Sequence, residues 1–264
     1  MLSRRMLPWA ALAVSLAVHV VSGGAMLYAL NGMGGVTYVA QRLGFANGAP
    51  RTDGMHAQAI AAHAAYPHRD GEIHFVGDSL THRFPWAQCF ADLPVYNFGI
   101  GNDTTSDLLN RVETFAARQP DKIFLMIGTN DLEMGRFADH DLFALNTERL
   151  LERIAAITPA TRVYIQSVPP TQNPLAAGAA ARFNERLERL ADERGAVYID
   201  LHSHFVDERG DIRAGLFTDG THLSTAGYAI WARVISPYVY GDEPAPAAPA
   251  FAMTSIADDG AATP

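Results

Sequence analysis

The sequence predicts an α/β fold in three layers, with a five-stranded parallel sheet between two layers of helices. Short apolar segments that suit strands alternate along the chain with longer segments of helical periodicity, which is the pattern of βαβ units. One apolar segment, residues 122–127, is almost uninterrupted, as expected for a central strand covered on both faces. In such a sheet, ligands bind at the carboxyl ends of the strands.

The predicted strands are short and end in turn signals. Each is a run of mainly apolar residues followed by Gly, Pro or a polar cluster. Runs of this kind occur at residues 73–76, 95–98, 122–127, 162–168 and 197–201. They account for the five strands of the predicted sheet.

The predicted helices lie before, between and after these runs. Leucine and isoleucine recur at helical spacing in residues 141–157, and Pro159 follows. Residues 176–194 mix charged and apolar side chains, and Gly195 marks their end. Helices are predicted at residues 55–66, 105–117, 141–157, 176–194 and 224–239.

Both ends of the chain differ from its middle. Arg4 and Arg5 precede a predominantly apolar stretch, residues 6–30, which is long enough to cross a bilayer and would leave the rest of the chain outside the cytoplasm. A signal peptide cleaved near Gly23-Gly24-Ala25 is the competing interpretation, and it would make the protein secreted. The predicted division is a membrane anchor or signal segment (1–31), a juxtamembrane linker (32–54), a globular domain (55–240) and an Ala/Pro-rich disordered tail (241–264).

Composition excludes several kinds of partner and site. The formal net charge is −8 and no run of Lys and Arg occurs, which argues against nucleic-acid binding. Cys89 is the single cysteine, so neither an intramolecular disulfide nor a zinc–cysteine cluster can form. Its neighbours Trp86 and Phe90 predict a buried thiol. No metal or organic cofactor is predicted.

A serine with a distant histidine–carboxylate pair predicts nucleophilic catalysis. Ser79 directly follows the first predicted strand, at a turn that Gly77 permits. A serine hydroxyl needs a base, usually a histidine held by a carboxylate. Asp219 and His222 lie three residues apart before the last predicted helix, so one turn can present both side chains on the same side. Taken alone, this pair is better explained as an Asx turn or helix N-cap with a surface histidine.

Acyl transfer also needs hydrogen-bond donors for the oxyanion, and two loops offer them. The loop Gly99-Ile100-Gly101-Asn102-Asp103-Thr104 opens a predicted helix, where backbone N–H groups lack intrahelical acceptors. Gly128-Thr129-Asn130-Asp131 follows the most apolar strand, and Asn130 can donate its side-chain amide. Simple turn chemistry in the first loop and local capping by Asn130 are the alternative explanations.

Taken together, these segments resemble the SGNH or GDSL hydrolases. The family's blocks are a Gly-Asp-Ser, a glycine in a loop, a Gly-x-Asn-Asp and an Asp-x-x-His. Their counterparts here occur in the same order and spacing: Gly77-Asp78-Ser79-Leu80, the loop 97–105, Gly128-Thr129-Asn130-Asp131 and Asp219-Gly220-Thr221-His222. The resemblance covers about residues 73–240 and implies the flavodoxin-like SGNH hydrolase fold.

The resemblance also implies roles for individual residues. The nucleophile, its base and the carboxylate that orients the base would be Ser79, His222 and Asp219. The Asn130 side chain and the backbone N–H of Ser79 would donate to the oxyanion. Relatives use the glycine before the loop aspartate as a further backbone donor, and this chain has Asn102 there. Since Asn tolerates positive φ, we expect Asn102 to keep that role, with Gly101 as the alternative.

The function that the resemblance implies is ester hydrolysis through a covalent acyl-enzyme. The loop sequences are similar to those of acetylhydrolases. We therefore expect short O-acyl esters as substrates, acetyl esters above all, and an ester of an envelope glycan fits this expectation. Lysophospholipase, thioesterase or acyltransferase activity is the near alternative, and a catalytically weak, membrane-tethered binding protein the distant one. The expected partners are a small-molecule, glycan or lipid ester, and the membrane through the N-terminal segment.

Overall fold

The computed structural model describes residues 54–133, 140–172 and 174–241. The predicted anchor or signal segment, almost all of the linker and the tail from residue 242 lie outside the described residues. Within those ranges, no helix is both long enough and apolar enough to cross a membrane. Membrane attachment and an extracytoplasmic location stay predictions.

Strands and helices alternate along the described chain. The strands are β1 (Ile73–Gly77), β2 (Val95–Gly99), β3 (Lys122–Met126), β4 (Arg162–Gln166) and β5 (Val197–Ile199). The helices are α1 (Gly54–Ala64), α2 (Ser79–His82), α3 (Trp86–Cys89), α4 (Thr105–Asn110), α5 (Glu113–Ala116), α6 (Thr129–Glu133), α7 (His140–Ile157), α8 (Pro174–Arg194) and α9 (Thr225–Tyr240). A short 3₁₀ helix, His202–Phe205, follows β5.

The strands form one parallel sheet in the order β2-β1-β3-β4-β5. The chain passes from β1 to β2 on one side and then to β3 on the other side, so the winding direction reverses between β1 and β3. Such a switch point opens a crevice at the carboxyl ends of the strands, where ligands bind. The predicted α/β fold with a five-stranded parallel sheet is confirmed.

Stacked aromatic rings join the central strands. Phe75, Phe124 and Tyr164 are in register on β1, β3 and β4, and their ring centroids are 5.0 and 4.5 Å apart. Trp86 of α3 stacks on Phe75 at 4.2 Å, and all these rings are buried. Aromatic pairs contribute about 0.5–1.5 kcal/mol each beyond the burial of their surface. The stacked rings stabilise the pairing of β1, β3 and β4, whose carboxyl ends lie at the same edge of the sheet because the strands are parallel.

The structure differs from the prediction at one helix. Residues 105–117 were expected to form a single helix, but they form α4 and α5, with a break at Arg111 and Val112. Arg111 has φ −115° and ψ 19°, outside the helical range. Its guanidinium donates to the backbone carbonyls of Gly77 and Phe98, at the ends of β1 and β2. The break therefore accompanies a long-range contact that the helical periodicity does not reveal.

The close approach of β1, β3 and α2 leaves no space for a side chain at Gly77. A Cβ atom there would lie 2.2 Å from the carbonyl oxygen of Met126 and 2.3 Å from Oγ1 of Thr81. We expect Gly77→Ala to lower the free energy of unfolding by about 1–3 kcal/mol, because overpacking displaces the surrounding backbone. Urea unfolding followed by circular dichroism measures this change.

Gly178→Ala in α8 is the matched control. A Cβ atom at Gly178 would lie 3.6 Å from Nη1 of Arg182, an ordinary contact with a flexible side chain. We expect this variant to equal or slightly exceed the wild type in stability, since Ala favours a helix over Gly. Equal stability of Gly77→Ala and the wild type would contradict the crowding argument.

Candidate active site

Ser79 occupies the first position of α2, directly after β1. Asp78 precedes it as the N-cap, and its Oδ1 accepts a hydrogen bond of 2.9 Å from the backbone N–H of Leu80. The first N–H groups of a helix have no intrahelical acceptor. The side chain of Ser79 and its own N–H are therefore both presented at the edge of the sheet where the crevice opens.

Side chains from distant elements hold the carboxyl end of α2. The hydroxyl of Tyr228 donates to the carbonyl oxygen of Leu80 at 2.8 Å. The side-chain amide of Asn97 lies 3.0 Å from the carbonyl oxygen of Thr81 and 3.1 Å from that of His82. A helix of a single turn is unstable by itself, so these bonds help to keep Ser79 in place. The sequence pattern did not reveal this role of Asn97, although an amide inside a strand is a signal of one.

Residues 217–223, called the histidine loop below, present His222 to Ser79. Asp219 shapes this loop as an Asx turn, because its Oδ1 accepts from the N–H groups of Thr221 and His222 at 2.8 and 2.6 Å. Its other oxygen, Oδ2, lies 2.9 Å from Nδ1 of His222. The Asx turn and the contact between carboxylate and imidazole were alternative interpretations of the Asp219/His222 pair, and the structure contains both.

The imidazole of His222 connects Asp219 with Ser79. Its Nε2 lies 3.0 Å from Oγ of Ser79. Since an ionised carboxylate only accepts hydrogen bonds, Nδ1 carries the proton and Nε2 offers its lone pair to the serine hydroxyl. The backbone N–H groups of His222 and Thr221, followed by the imidazole, lower the pKa of Asp219 to about 2. Asp219 is therefore ionised at neutral pH, and the exposure of 54% of its side chain to water also favours the charged form.

The loop after β2 turns sharply at Asn102. This residue has φ 63°, the left-handed region expected for a position where relatives have glycine, and its side chain is exposed. The N–H of Ile100 donates to the carbonyl oxygen of Gly77 at 3.0 Å, and that of Asp103 donates to the carbonyl oxygen of Ile100 at 3.2 Å. The turn therefore stays attached to the end of β1, close to Ser79. The choice between Asn102 and Gly101 as the backbone donor stays a prediction.

Asn130 and Asp131 link the loop after β3 to the loop after β2. The Nδ2 of Asn130 donates to the carbonyl oxygen of Asp103 at 2.9 Å. An amide nitrogen carries two hydrogens, and this contact uses one of them. The carboxylate of Asp131 accepts from the N–H and the hydroxyl of Thr105 at 2.9 and 2.8 Å. The loops after β2 and β3 are thus braced against each other.

Buried charges lie beneath these loops. Nε of Arg111 is 2.7 Å from Oδ2 of Asp103, and Nε2 of His56 is 3.2 Å from the other oxygen. Burial raises the pKa of Asp103, and the Arg111 guanidinium lowers it. Burial also raises the pKa of Asp78 to about 7. The negative charges of Asp103 and Asp131 raise it as well, whereas the hydrogen bond from the N–H of Leu80 lowers it. The positive charge of Arg111 therefore offsets part of the negative charge of the cluster formed by Asp78, Asp103 and Asp131.

A sizeable cavity lies elsewhere in the described part of the chain. It has a volume of about 710 Å³, lies beside the outer strand β2, and is lined by residues that include Tyr66, Tyr96 and Arg83. Ser79, His222 and Asn130 do not line it. The reaction site is therefore identified by its hydrogen-bond geometry rather than by the size of a cavity.

Comparison with known proteins gives a family match and relatives that are named as acetylhydrolases. Residues 75–230 match the GDSL-like Lipase/Acylhydrolase family. The chain is 29% identical over 171 residues to platelet-activating factor acetylhydrolase IB subunit alpha1 of Pongo abelii, covering 61% of this chain and 72% of the relative. It is 28% identical over 171 residues to subunit alpha2 of Homo sapiens, with the same two coverages.

Solved structures share the fold. A GDSL-like lipase from Bacteroides thetaiotaomicron superposes with a TM-score of 0.62 at 20% identity, covering 70% of this chain and 97% of that one. An acetylxylan esterase from Geobacillus stearothermophilus superposes with a TM-score of 0.54 at 20% identity, covering 64% and 94%. The family match runs from β1 into α9 and includes all the sequence blocks described above. The chain therefore belongs to the GDSL-like lipase/acylhydrolase family and is an ester hydrolase.

Proposed function

We propose that this protein removes short O-acyl groups, acetyl above all, from esterified alcohols through a covalent acyl-enzyme on Ser79. The observation that carries the proposal is the continuous contact from Oγ of Ser79 through the imidazole of His222 to the carboxylate of Asp219, at 3.0 and 2.9 Å. A nucleophile, a base and a group that orients the base are the components that acyl transfer requires.

The first half of the reaction forms the acyl-enzyme. Oγ of Ser79 attacks the ester carbonyl carbon while its proton passes to Nε2 of His222. The carbonyl oxygen becomes an oxyanion, which accepts from Nδ2 of Asn130 and from the N–H groups of Ser79 and Asn102. When the tetrahedral intermediate collapses, the bond to the alkoxy group breaks and His222 returns the proton to the leaving alcohol.

The second half repeats these steps with water. His222 takes a proton from a water molecule, whose oxygen attacks the acyl carbon. The bond between that carbon and Oγ of Ser79 breaks, and the proton on His222 returns to the serine. The products are one carboxylic acid and one alcohol. Asp219 stays ionised throughout and stabilises the imidazolium that forms in both halves.

The relatives support acetyl as the acyl group, and one structural neighbour together with the predicted location favours a glycan as the substrate. One pair of relatives is named as acetylhydrolases and one structural neighbour as an acetylxylan esterase, so the acetyl ester is common to both. The predicted extracytoplasmic location would bring the enzyme to O-acetylated glycans of the cell envelope. A lipid acetyl ester is the second candidate, which the similarity to the platelet-activating factor acetylhydrolases favours.

A series of p-nitrophenyl esters tests the acyl preference. With the full-length chain in mild detergent, we expect kcat/KM to be highest for the acetate and to fall steeply beyond the butyrate. Ser79→Ala is expected to lower turnover at least about 10³-fold, because the nucleophile is lost while binding and the oxyanion donors remain. Equal turnover by this variant would refute the assignment of the nucleophile. A preference for laurate would favour a lipase.

The preference for the alcohol part of the ester is tested by comparing acetylated xylo-oligosaccharides with a phospholipid that carries an acetyl ester. Release of acetate is measured for each with the wild type and with Ser79→Ala. A higher Ser79-dependent kcat/KM for the oligosaccharide supports the glycan proposal. A higher value for the lipid would overturn it in favour of the second candidate.

Asp219→Ala tests the orienting carboxylate. We expect kcat to fall about 10²–10⁴-fold with little change in KM, because the imidazole loses the group that fixes its tautomer and stabilises its charged form. Asp211→Asn serves as the control, since that carboxylate is also exposed and lies outside the histidine loop. Unchanged kcat in Asp219→Ala would show that another group holds His222.

The oxyanion donors are tested by two substitutions with opposite expectations. Asn130→Ala removes a side-chain donor, and we expect kcat to fall about 10²–10³-fold. Asn102→Gly keeps the backbone N–H and suits positive φ, so we expect kcat within about threefold of the wild type. A large loss in Asn102→Gly would show that the Asn102 side chain contacts the substrate.

A further inference from the structure

Glu133 joins three segments around the active site. It is the last residue of α6, the helix that carries Asn130. Its Oε1 accepts a hydrogen bond of 2.6 Å from the hydroxyl of Thr221 in the histidine loop. The same oxygen accepts one of 2.8 Å from the hydroxyl of Thr171, in the segment that follows β4. One carboxylate oxygen therefore connects the oxyanion helix, the segment after β4 and the loop that carries His222.

Hydrogen bonds within the histidine loop define its shape, whereas contacts with other segments set its position. Its internal bonds include the Asx turn at Asp219 and the antiparallel bridge between Phe217 and Leu223. These bonds define the shape of the loop and say nothing about its distance from Ser79. The loop is only partly covered, since more than half of the Asp219 side chain is exposed. Contacts with other segments must therefore set the distance between His222 and Ser79.

Two contacts with other segments flank the catalytic pair directly. The N–H of Gln172 donates to the carbonyl oxygen of Gly220 at 3.0 Å, and the hydroxyl of Thr221 donates to Glu133. Gly220 and Thr221 are the two residues between Asp219 and His222. A hydrogen bond from a hydroxyl to a carboxylate is about twice as strong as a neutral one. The Glu133 contact is therefore the stronger of these two tethers.

We propose that Glu133 is a positioning residue for the hydrolysis, setting the placement of His222 relative to Ser79 through Thr221. The inference rests on the proposed function, because it concerns the efficiency of the same Ser79 reaction. Glu133 contacts hydroxyl groups and not the reacting atoms. A displacement of about 1 Å in a catalytic group costs up to about 100-fold in rate, so a single tether between loops is sufficient to matter.

The chemistry of the two donors distinguishes a role of Glu133 as a hydrogen-bond acceptor from a role of its negative charge. Thr171 and Thr221 are neutral hydroxyls, and each needs an acceptor rather than a negative charge. A glutamine retains a carbonyl oxygen that accepts both bonds, whereas an alanine retains neither. Glu133→Gln therefore keeps the tether, and Glu133→Ala removes it. If instead the negative charge of Glu133 supported the imidazolium, both variants would lose activity alike.

The experiment measures kcat and KM with p-nitrophenyl acetate, and the melting temperature, for the full-length chain. We expect Glu133→Ala to lower kcat about 10–100-fold with KM and melting temperature nearly unchanged, and Glu133→Gln to stay within about threefold of the wild type. Glu185→Ala, at an exposed carboxylate on α8, is the matched control and should equal the wild type. Thr221→Val removes the donor without touching Glu133, so it serves even where Glu133→Ala folds poorly.

A double-mutant cycle completes the test. We expect Thr221→Val to lower kcat to a similar degree, and the variant with both Thr221→Val and Glu133→Ala to be no worse than either single change. Wild-type kcat in both single variants would overturn the inference, as would a loss in Glu133→Gln equal to that in Glu133→Ala. Neither result would affect the proposed function, which is tested separately by the activity of the wild type on the ester series and by its loss in Ser79→Ala.

Discussion

The guanidinium of Arg111 is the contact on which the arrangement of the active-site loops depends. Its Nη2 donates to the carbonyl oxygens of Gly77 and Phe98 at 3.2 and 2.7 Å, and its Nε donates to Asp103 at 2.7 Å. These acceptors lie at the end of β1, at the end of β2 and in the turn that contains Asn102. Removing one partner of such a buried ion pair typically costs about 3–5 kcal/mol, because the other charge is left uncompensated. One side chain therefore fixes the position of the end of β1, which Ser79 follows, relative to the turn that contains Asn102.

The site has two parts that are held in different ways. Ser79 and Asn130 follow β1 and β3, the strands on either side of the switch point, so the sheet itself sets their separation. His222 arrives 143 residues after Ser79 on a loop outside the sheet, and hydrogen bonds dock that loop against the rest. In the proposed reaction, the rigid part supplies the nucleophile and the oxyanion donors. The docked part supplies the base, so the proposed catalysis is more sensitive to how that part is attached.

Local patterns in the sequence predicted the parts of this structure that local interactions determine. The five strands and the positions of the sequence blocks follow from apolar runs, turn residues and the resemblance to a family. The break at Arg111 and the Glu133 contact did not follow, because their partners are 34 and 88 residues away. Arg111 is the only basic residue among residues 105–117, and this was the available signal for the first. A glutamate at the end of a short helix gives no comparable signal, since most such carboxylates are solvated.

Asn102 shows why a departure from a family block need not change the chemistry. By the resemblance, relatives have glycine at this position, and glycine adopts positive φ without cost. The backbone at Asn102 has φ 63°, so the turn takes the left-handed course, which asparagine tolerates better than most other residues. Its side chain is exposed, and the neighbouring Asp103 keeps its bonds to Arg111 and Asn130. What the position supplies is a backbone direction, and the contacts of the neighbouring Asp103 help to hold the backbone in that direction.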